Sequence, residues 1–439
     1  MSQLPNGWRW STVGEVGSVD LGRQRHPDWH HGPEMRPYLR VANVFEDRID
    51  ATDIKEMDFL GVFERYKLHP GDVLLNEGQT PELLGRPAIY RGNPPDVAFT
   101  NTLLRFRAGP EVLPEWALTV FRRHMHIGRF AKESRITTNI AHLSARRFKT
   151  VEFPVPPLDE QRRIVYILED HLSRLDAADA SLRAVLRRNR IARQAIIDRA
   201  ASGLLDGGVA DASGLGAEWT WAAPSEVAAQ GSSSIVIGPF GSNLKTSDYT
   251  KDGVPLVFVR NVRQSYFGPR ERRYVSVEKA GELSPHHVIS GDIVITKMGD
   301  PPGDAAVYDV PGAGIVTADV IRLRPRDDQS ADYLALAINS SLVARQIERI
   351  TRGVAQKKVS LARFRSEIMI PVPVDSKLQG STAGRVRELT WAFERVENDV
   401  NESVTKSAAL RRALLAAAFA GQLTGRIGDM DLAEEVAGV

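Results

Sequence analysis

LDEQRRIVYILEDHLSRLDAADASLRAVLRRNRIARQAIIDRAASG, residues 158–203, decides the architecture. From Ile164 onward apolar residues recur alternately four and three apart. Leu168, Leu175, Leu182, Asn189 and Ile196 share one heptad position, and Ile164, His171, Ala178, Val185 and Ala192 share the other. The spacing predicts one long helix, with Asp159 as N-cap, Glu160 and Gln161 in its first turn and Gly203 as its stop. At 1.5 Å per residue, about 40 residues run roughly 60 Å. A stripe this narrow needs a partner.

Homodimerisation would supply one, but the same chain supplies another, and the intramolecular pairing is the preferred expectation. Val386, Phe393, Val400, Ser407 and Leu414 form a second seam beside Leu389, Val396, Ser403 and Leu410, closed by Gly421. A shift of 218 residues superposes the seams and lays Asn189 on Ser407. The segments upstream repeat as well, in the same order. WRW at 8–10 returns as WTW at 219–221, PYLRVANV at 37–44 as PLVFVRNV at 255–262, and PGDVLL at 70–75 as SGDIVI at 290–295. PAIY at 87–90 returns as AAVY at 305–308, FTNTLLRFR at 99–107 as VTADVIRLR at 316–324, and FPVP at 153–156 as IPVP at 370–373. A tandem duplication follows. Each copy reads as about 150 residues of short strands broken by Gly, Pro, Asn and Asp, an apolar-Pro-X-Pro stop, and a long helix. Only residues 206–219 separate the first helix from the second globular part, so the second helix must run back along the first. The expected fold is α+β: two globular α/β parts related by a pseudo-two-fold axis and separated by an antiparallel coiled coil of two long helices.

The totals suit this reading. A length of 439 residues suggests roughly three units, and 42% apolar with 26% charged residues fits a soluble globular chain. The absence of cysteine excludes disulfides and thiolate metal sites and suits a reducing cytosol. MSQLPNGWRW shows no signal segment, and no apolar run reaches membrane-span length. A net charge of +2 leaves any case for nucleic acid to local clustering.

Motifs that suggest catalysis fail on chemistry. Asn93-Pro94-Pro95-Asp96 resembles the box with which amino-methyltransferases hold a flipped base, but Asp96 stands where an aromatic ring must stack. Asp300-Pro301-Pro302-Gly303 in the second copy also lacks the ring, and Gly214-Leu215-Gly216 lies in the linker rather than in a methyl-donor loop. Both tetrads read as Pro-Pro turns. GPFGSNLKTS at 238–247 imitates a phosphate loop, but Leu244 replaces the glycine before the lysine. Pro27-Asp28 with Asp53-Ile54-Lys55 loosely resembles a nuclease signature that copy two does not repeat. His30-His31 and His286-His287 lack metal spacing and read as solvated turn residues. The expectation is no catalytic, cofactor or metal residue.

Basic clusters point to DNA instead. Residues 129–149 carry Arg129, Lys132, Arg135, Arg146, Arg147 and Lys149 against Glu133, with Thr137, Thr138 and Asn139 among them. Residues 345–365 carry Arg345, Arg349, Arg352, Lys357, Lys358, Arg363 and Arg365 against Glu348, with Gln356 and Ser360. Cations bind phosphate, and Arg, Asn and Gln also read base edges. The candidate DNA contacts are Arg135, Thr137, Thr138, Asn139, Arg146 and Arg147 in copy one. In copy two they are Ser242, Asn243, Lys245, Arg260, Lys297, Arg352, Gln356, Lys357 and Lys358.

Nearly the whole chain resembles the specificity (S) subunit of type I restriction–modification enzymes. The opening LPNGWRWSTVGEV and the GPFGSNLK stretch are typical of that family, and ITTNIAHLS at 136–144 is similar to its segment ending in Leu-Ser. PVPPLDEQRRIV at 154–165 matches its junction at Pro156, Pro157, Leu158, Glu160, Gln161, Ile164 and Val165. The second junction, IPVPVDSKLQ at 370–379, lacks Pro-Pro-Leu and Glu-Gln; Asp375 or Ser376 would cap the helix there.

The resemblance implies a target-recognition domain over 1–157, a coiled-coil helix over 158–205, a second recognition domain over 206–374, a second helix over 375–425 and a tail over 426–439. It implies a non-catalytic cytoplasmic subunit of a phage-defence complex, reading a split site on double-stranded DNA. Two modification (methyltransferase) subunits would dock on the helices and restriction (motor-nuclease) subunits would join them, with S-adenosylmethionine and ATP held by those partners and no cofactor in this chain. The competing readings are a stand-alone DNA methyltransferase or nuclease, and a scaffold that does not read DNA.

Overall fold

The computed structural model describes residues 4–137, 140–268, 271–353 and 357–424; Thr138, Asn139, Gln356 and the tail over 426–439 lie outside them. The chain forms two compact units, Met1–Leu182 with Glu402–Val439, and Arg183–Asn401. Four helices carry most of the architecture: α1 (Pro114–His126), α2 (Leu158–Ala201), α3 (Ala331–Ile338) and α4 (Lys377–Phe419).

In the first unit the strands that frame the site are β1 (Gly17–Leu21), β2 (Val73–Asn76), β3 (Gly78–Gln79), β4 (Pro87–Ile89), β5 (Leu103–Ala108), β6 (Arg135–Thr137) and β7 (Ile140–His142). An antiparallel sheet has the order β1-β5-β2-β4, and a smaller antiparallel sheet has the order β6-β7-β3. VLLN in β2 is buried at every position, as expected of a strand covered on both faces. Proline at the first position of α1 starts a helix whose Trp116, Val120 and Phe121 enter the core beside Phe106, Phe130 and Phe153. Ile164, Leu168 and Leu172 of α2 and Leu414, Leu415 and Ala418 of α4 belong to the same core.

The second unit repeats the plan. Strands β8 (Ile235–Ile237), β9 (Ile293–Thr296), β10 (Ala305–Val307) and β11 (Val320–Leu323) give the order β8-β11-β9-β10, the first unit's order strand for strand, and β12 (Thr351–Arg352) pairs with β13 (Lys358–Val359). Helix α3 covers this sheet, and Ile197 and Ala200 of α2 share its core with Ala383 and Val386 of α4.

Within each unit α2 and α4 pack together and run antiparallel. In the first, Arg411 bridges Asp176 (2.8 Å) and Asp179 (2.9 Å). In the second, Asn189 Nδ2 donates to the Phe393 carbonyl (2.8 Å) and Arg193 meets Glu394 (3.5 Å). Arg411 and Arg193, like Glu394 and Asp176, are 218 residues apart, so each unit repeats the other's interhelical ion pair.

Seam residues Leu168, Val400, Ser407 and Leu414 are buried, and Leu175, Leu182, Ile196 and Phe393 are half-buried. The other heptad column departs from expectation: Ala178, Val185, Leu389, Val396 and Ser403 are exposed. A straight helix drifts from the 3.5-residue repeat, and near each globular part the buried face moves to Leu172 and Ile197, where the domain core covers it.

The helix ends are clearer. Asp159 is inside the first turn rather than the cap, because Gln161 N–H already bonds the Pro157 carbonyl (3.0 Å) and proline suits that turn. Asp375 does accept from Lys377 N–H (3.0 Å) at the start of α4. Gly203 (φ +74°) and Gly421 (φ +68°) both take the left-handed conformation that closes a helix. Leu204 N–H returns to Arg199 O (2.7 Å) and Gln422 N–H to Ala417 O (3.0 Å), the same closing bond twice.

Candidate nucleic-acid interface

Each globular part contains the same scaffold where its hairpin meets the main sheet. In the first, Glu77 N–H donates to Thr102 O (3.0 Å), and Glu77 O accepts from Leu143 N–H (2.8 Å). In the second, Lys297 N–H donates to Asp319 O (2.8 Å), and Lys297 O accepts from Val359 N–H (2.9 Å). Gly78 pairs with His142, and Met298 bridges Lys358. Across the hairpins Arg135 stands opposite His142, and Arg352 opposite Lys358.

The side chains on this shared frame differ. Glu77 Oε2 lies 3.1 Å from His142 Nδ1. At the matching position the Lys297 ammonium sits 5.1 Å from the ring of Phe240, an exposed aromatic, and burial lowers its pKa. Lys358 reaches Asp319 (3.7 Å), and Lys357 pairs with Asp300 (2.7 Å). Lys297 thus lies beside the strand pair that carries Arg352 and Lys358, with Lys357 next in the chain.

The other candidates are placed as follows. Ser242 and Asn243 are exposed on the single turn after Phe240, and Lys245 is exposed beyond it, its N–H bonded to Asp248 (2.7 Å). Arg260 is engaged elsewhere, donating to Glu271 O (3.0 Å) and lying 4.1 Å from the Phe258 ring. Arg146 and Arg147 are exposed on a helical turn capped by Ser144, and Arg147 donates to Glu133 O (2.9 Å). The backbone of Arg135 and Thr137 forms β6. Arg129 is not a free cation: Glu152 holds it by two bonds (2.7 and 2.6 Å) and Glu133 by a third (2.7 Å), and these carboxylates raise its pKa.

The discarded motifs take structural roles. Asp96 pairs with Lys67 (2.6 Å), and the Asn93–Pro94 and Asp300–Pro301 bonds are both cis. Asp53 is held by Arg40 (2.5 Å) and Lys55 (2.9 Å). His286 and His287 are half-buried rather than solvated, because their rings bond the carbonyls of Ile237 (2.6 Å) and Ala280 (2.8 Å). No metal-holding group of His, Asp or Glu gathers among the described residues.

Two glutamines root the helices: sequence reading placed Gln161 in the first turn of α2 without assigning it this role, and passed over Gln379. Gln161, fully buried, accepts from Leu113 N–H (2.9 Å) and donates to the carbonyls of Glu111 and Pro156 (both 2.9 Å). Gln379, 218 residues on and 1% exposed, accepts from Ser330 N–H (2.7 Å) and donates to Gln329 Oε1 (2.8 Å). Leu113 and Ser330 are the residues preceding α1 and α3, so each glutamine ties a long helix to its domain's sheet-covering helix. The signal was available, since the shift that superposes the seams also lays Gln161 on Gln379. The PGD and SGD repeats have a similar cause: buried Asp72 and Asp292 each hold an arginine bidentately, Arg107 (2.7 and 2.8 Å) and Arg324 (both 2.7 Å).

The family model for the type I restriction modification DNA specificity domain matches residues 5–185. The chain is 22% identical over 447 aligned positions to the EcoKI specificity subunit of Escherichia coli K12, covering 97% of this chain and 91% of that protein. It is 21% identical over 433 positions to the StySPI specificity subunit of Salmonella potsdam, with the same coverage. A chain from a solved structure on complex assembly and conformational transition of the type I R-M system shares the fold, with a TM-score of 0.66 and 20% identity over 96% of this chain and 100% of that one. The first part of the chain thus matches the type I DNA specificity domain, and nearly the whole chain is similar to specificity subunits of type I restriction enzymes, with duplicated sheets and paired helices in a fold shared with a chain of a type I R-M system.

Proposed function

We propose that this chain is the sequence-specific DNA-recognition subunit of a type I restriction–modification complex, each globular part reading one half of a split site. The observation that carries the reading is the repeated frame at Glu77 and Lys297, which holds two different side-chain sets on one backbone beside two hairpins that each have an arginine position in their first strand. A duplex with two unlike half-sites calls for this arrangement: common contacts for the common phosphate backbone and unlike contacts for unlike bases. The chain itself is non-catalytic on this reading. Two modification subunits dock on α2 and α4 and bring the S-adenosylmethionine site and the complete base-holding box, while ATP belongs to restriction subunits that join them in the cytoplasm.

Methylome sequencing of cells expressing the chain with its modification subunit tests this. The expected product is one methylated motif with two specified halves and an unread gap. Methylation by the chain alone, or methylation without sequence preference by the complex, refutes it.

A further inference from the structure

Glu77 and Lys297 share backbone bonds, neighbouring strands and a hairpin, yet carry opposite charge. Arginine occupies both positions 135 and 352, opposite His142 and Lys358 respectively. A group common to both copies fits what every duplex offers, its phosphates. Groups that differ fit what differs between half-sites, the base edges. A carboxylate is the most informative of these, because near phosphate it is repelled and is accommodated only by a donor. In the major groove the exocyclic amine of cytosine is such a donor.

We infer that Glu77 and Lys297 are base readers of opposite polarity: Glu77, oriented by His142, accepts from the N4 amine of a cytosine, and Lys297, with Lys358, donates to O6 and N7 of a guanine in the other half-site. This rests on the chain being a DNA reader. The Glu77–His142 contact (3.1 Å) fixes which way the carboxylate faces, and Phe240 under Lys297 limits the ammonium's sweep. Arg352, exposed on the second hairpin, supplies a phosphate contact without sequence information.

The test uses the full chain with its modification subunit, reading methylated motifs genome-wide and binding to duplexes substituted one position at a time. Glu77→Gln keeps the shape but adds a donor, and glutamine pairs with adenine N6 and N7. One half-site is expected to shift from cytosine to adenine at one position, the other half-site and the gap unchanged. Lys297→Met is expected to lower discrimination for guanine at one position of the opposite half-site by roughly tenfold to a hundredfold. Glu77→Asp, which shortens the reach, is expected to lose the cytosine preference without gaining adenine. Unchanged motifs in all three variants overturn the inference, as does a uniform loss of affinity with the motif intact, or both sites altering the same half-site. A wild-type complex that methylates no two-part motif instead overturns the reading of the chain as a DNA reader, and the inference with it.

Discussion

Replacing Gln161 by alanine removes an acceptor from Leu113 N–H and two donors from the carbonyls of Glu111 and Pro156, in a site with no solvent exposure. Each such bond is worth about 1 kcal/mol net, and a small cavity adds to the loss. The expected cost is about 3–4 kcal/mol. Gln379→Ala loses two bonds, one of them to the Gln329 side chain, which is free to turn to water; its expected cost is about 2 kcal/mol. Gln161→Glu keeps the acceptor but sets a buried carboxylate against two carbonyls, and is expected to cost at least as much as alanine. Urea unfolding followed by circular dichroism gives the totals. Two compact units need not unfold together, so hydrogen exchange at the Leu113 and Ser330 amides assigns each loss to its unit. A Gln161→Ala variant within about 0.5 kcal/mol of wild type, or one less damaging than Gln379→Ala, refutes the buried-clamp account.

Other outcomes are as specific. Burial pushes His124 from 6.5 down to about 4, so the fold favours its neutral form. That stability is complete above pH 6.5 and is lost as pH falls toward 4, an effect on the order of 3 kcal/mol; His124→Gln is expected to flatten the profile in acid titrations of thermal unfolding. The Ser407 hydroxyl is buried without a hydrogen-bond partner among the described residues, whereas Asn189 bonds the facing helix. Ser407→Ala is therefore expected to leave the melting temperature unchanged or raise it, and Asn189→Ala to cost about 1 kcal/mol by denaturant titration. Four residues added to both α2 and α4 extend each by about 6 Å. Methylome sequencing should then show a longer gap between unchanged half-sites; an altered half-site counts against the helices as spacers.

The repeat was legible because both copies need the same residues for the same backbone. Asp72 and Asp292, the closing glycines Gly203 and Gly421, and the seam from Leu168 to Leu414 each recur near one offset. Burial was less legible. Ala178 and Val185 fit a heptad on paper, but side chains become buried only where a neighbour covers them, and α2 meets α4 along a narrower stripe. Charge was harder still. Arg129 counts as a free cation until Glu152, distant in sequence, folds against it. His142 and Glu77 stand 65 residues apart, and only the pairing of β7 with β3 brings them together.

The frame at Glu77 and Lys297 is made of main-chain N–H and C=O groups, which every amino acid except proline supplies in full. On the base-reader inference, a substitution that gives up the Glu77–His142 pair or the Lys297–Phe240 contact still leaves this main-chain frame bonded, so the preferred base of one half-site can change in single steps while sheet and hairpin stay joined.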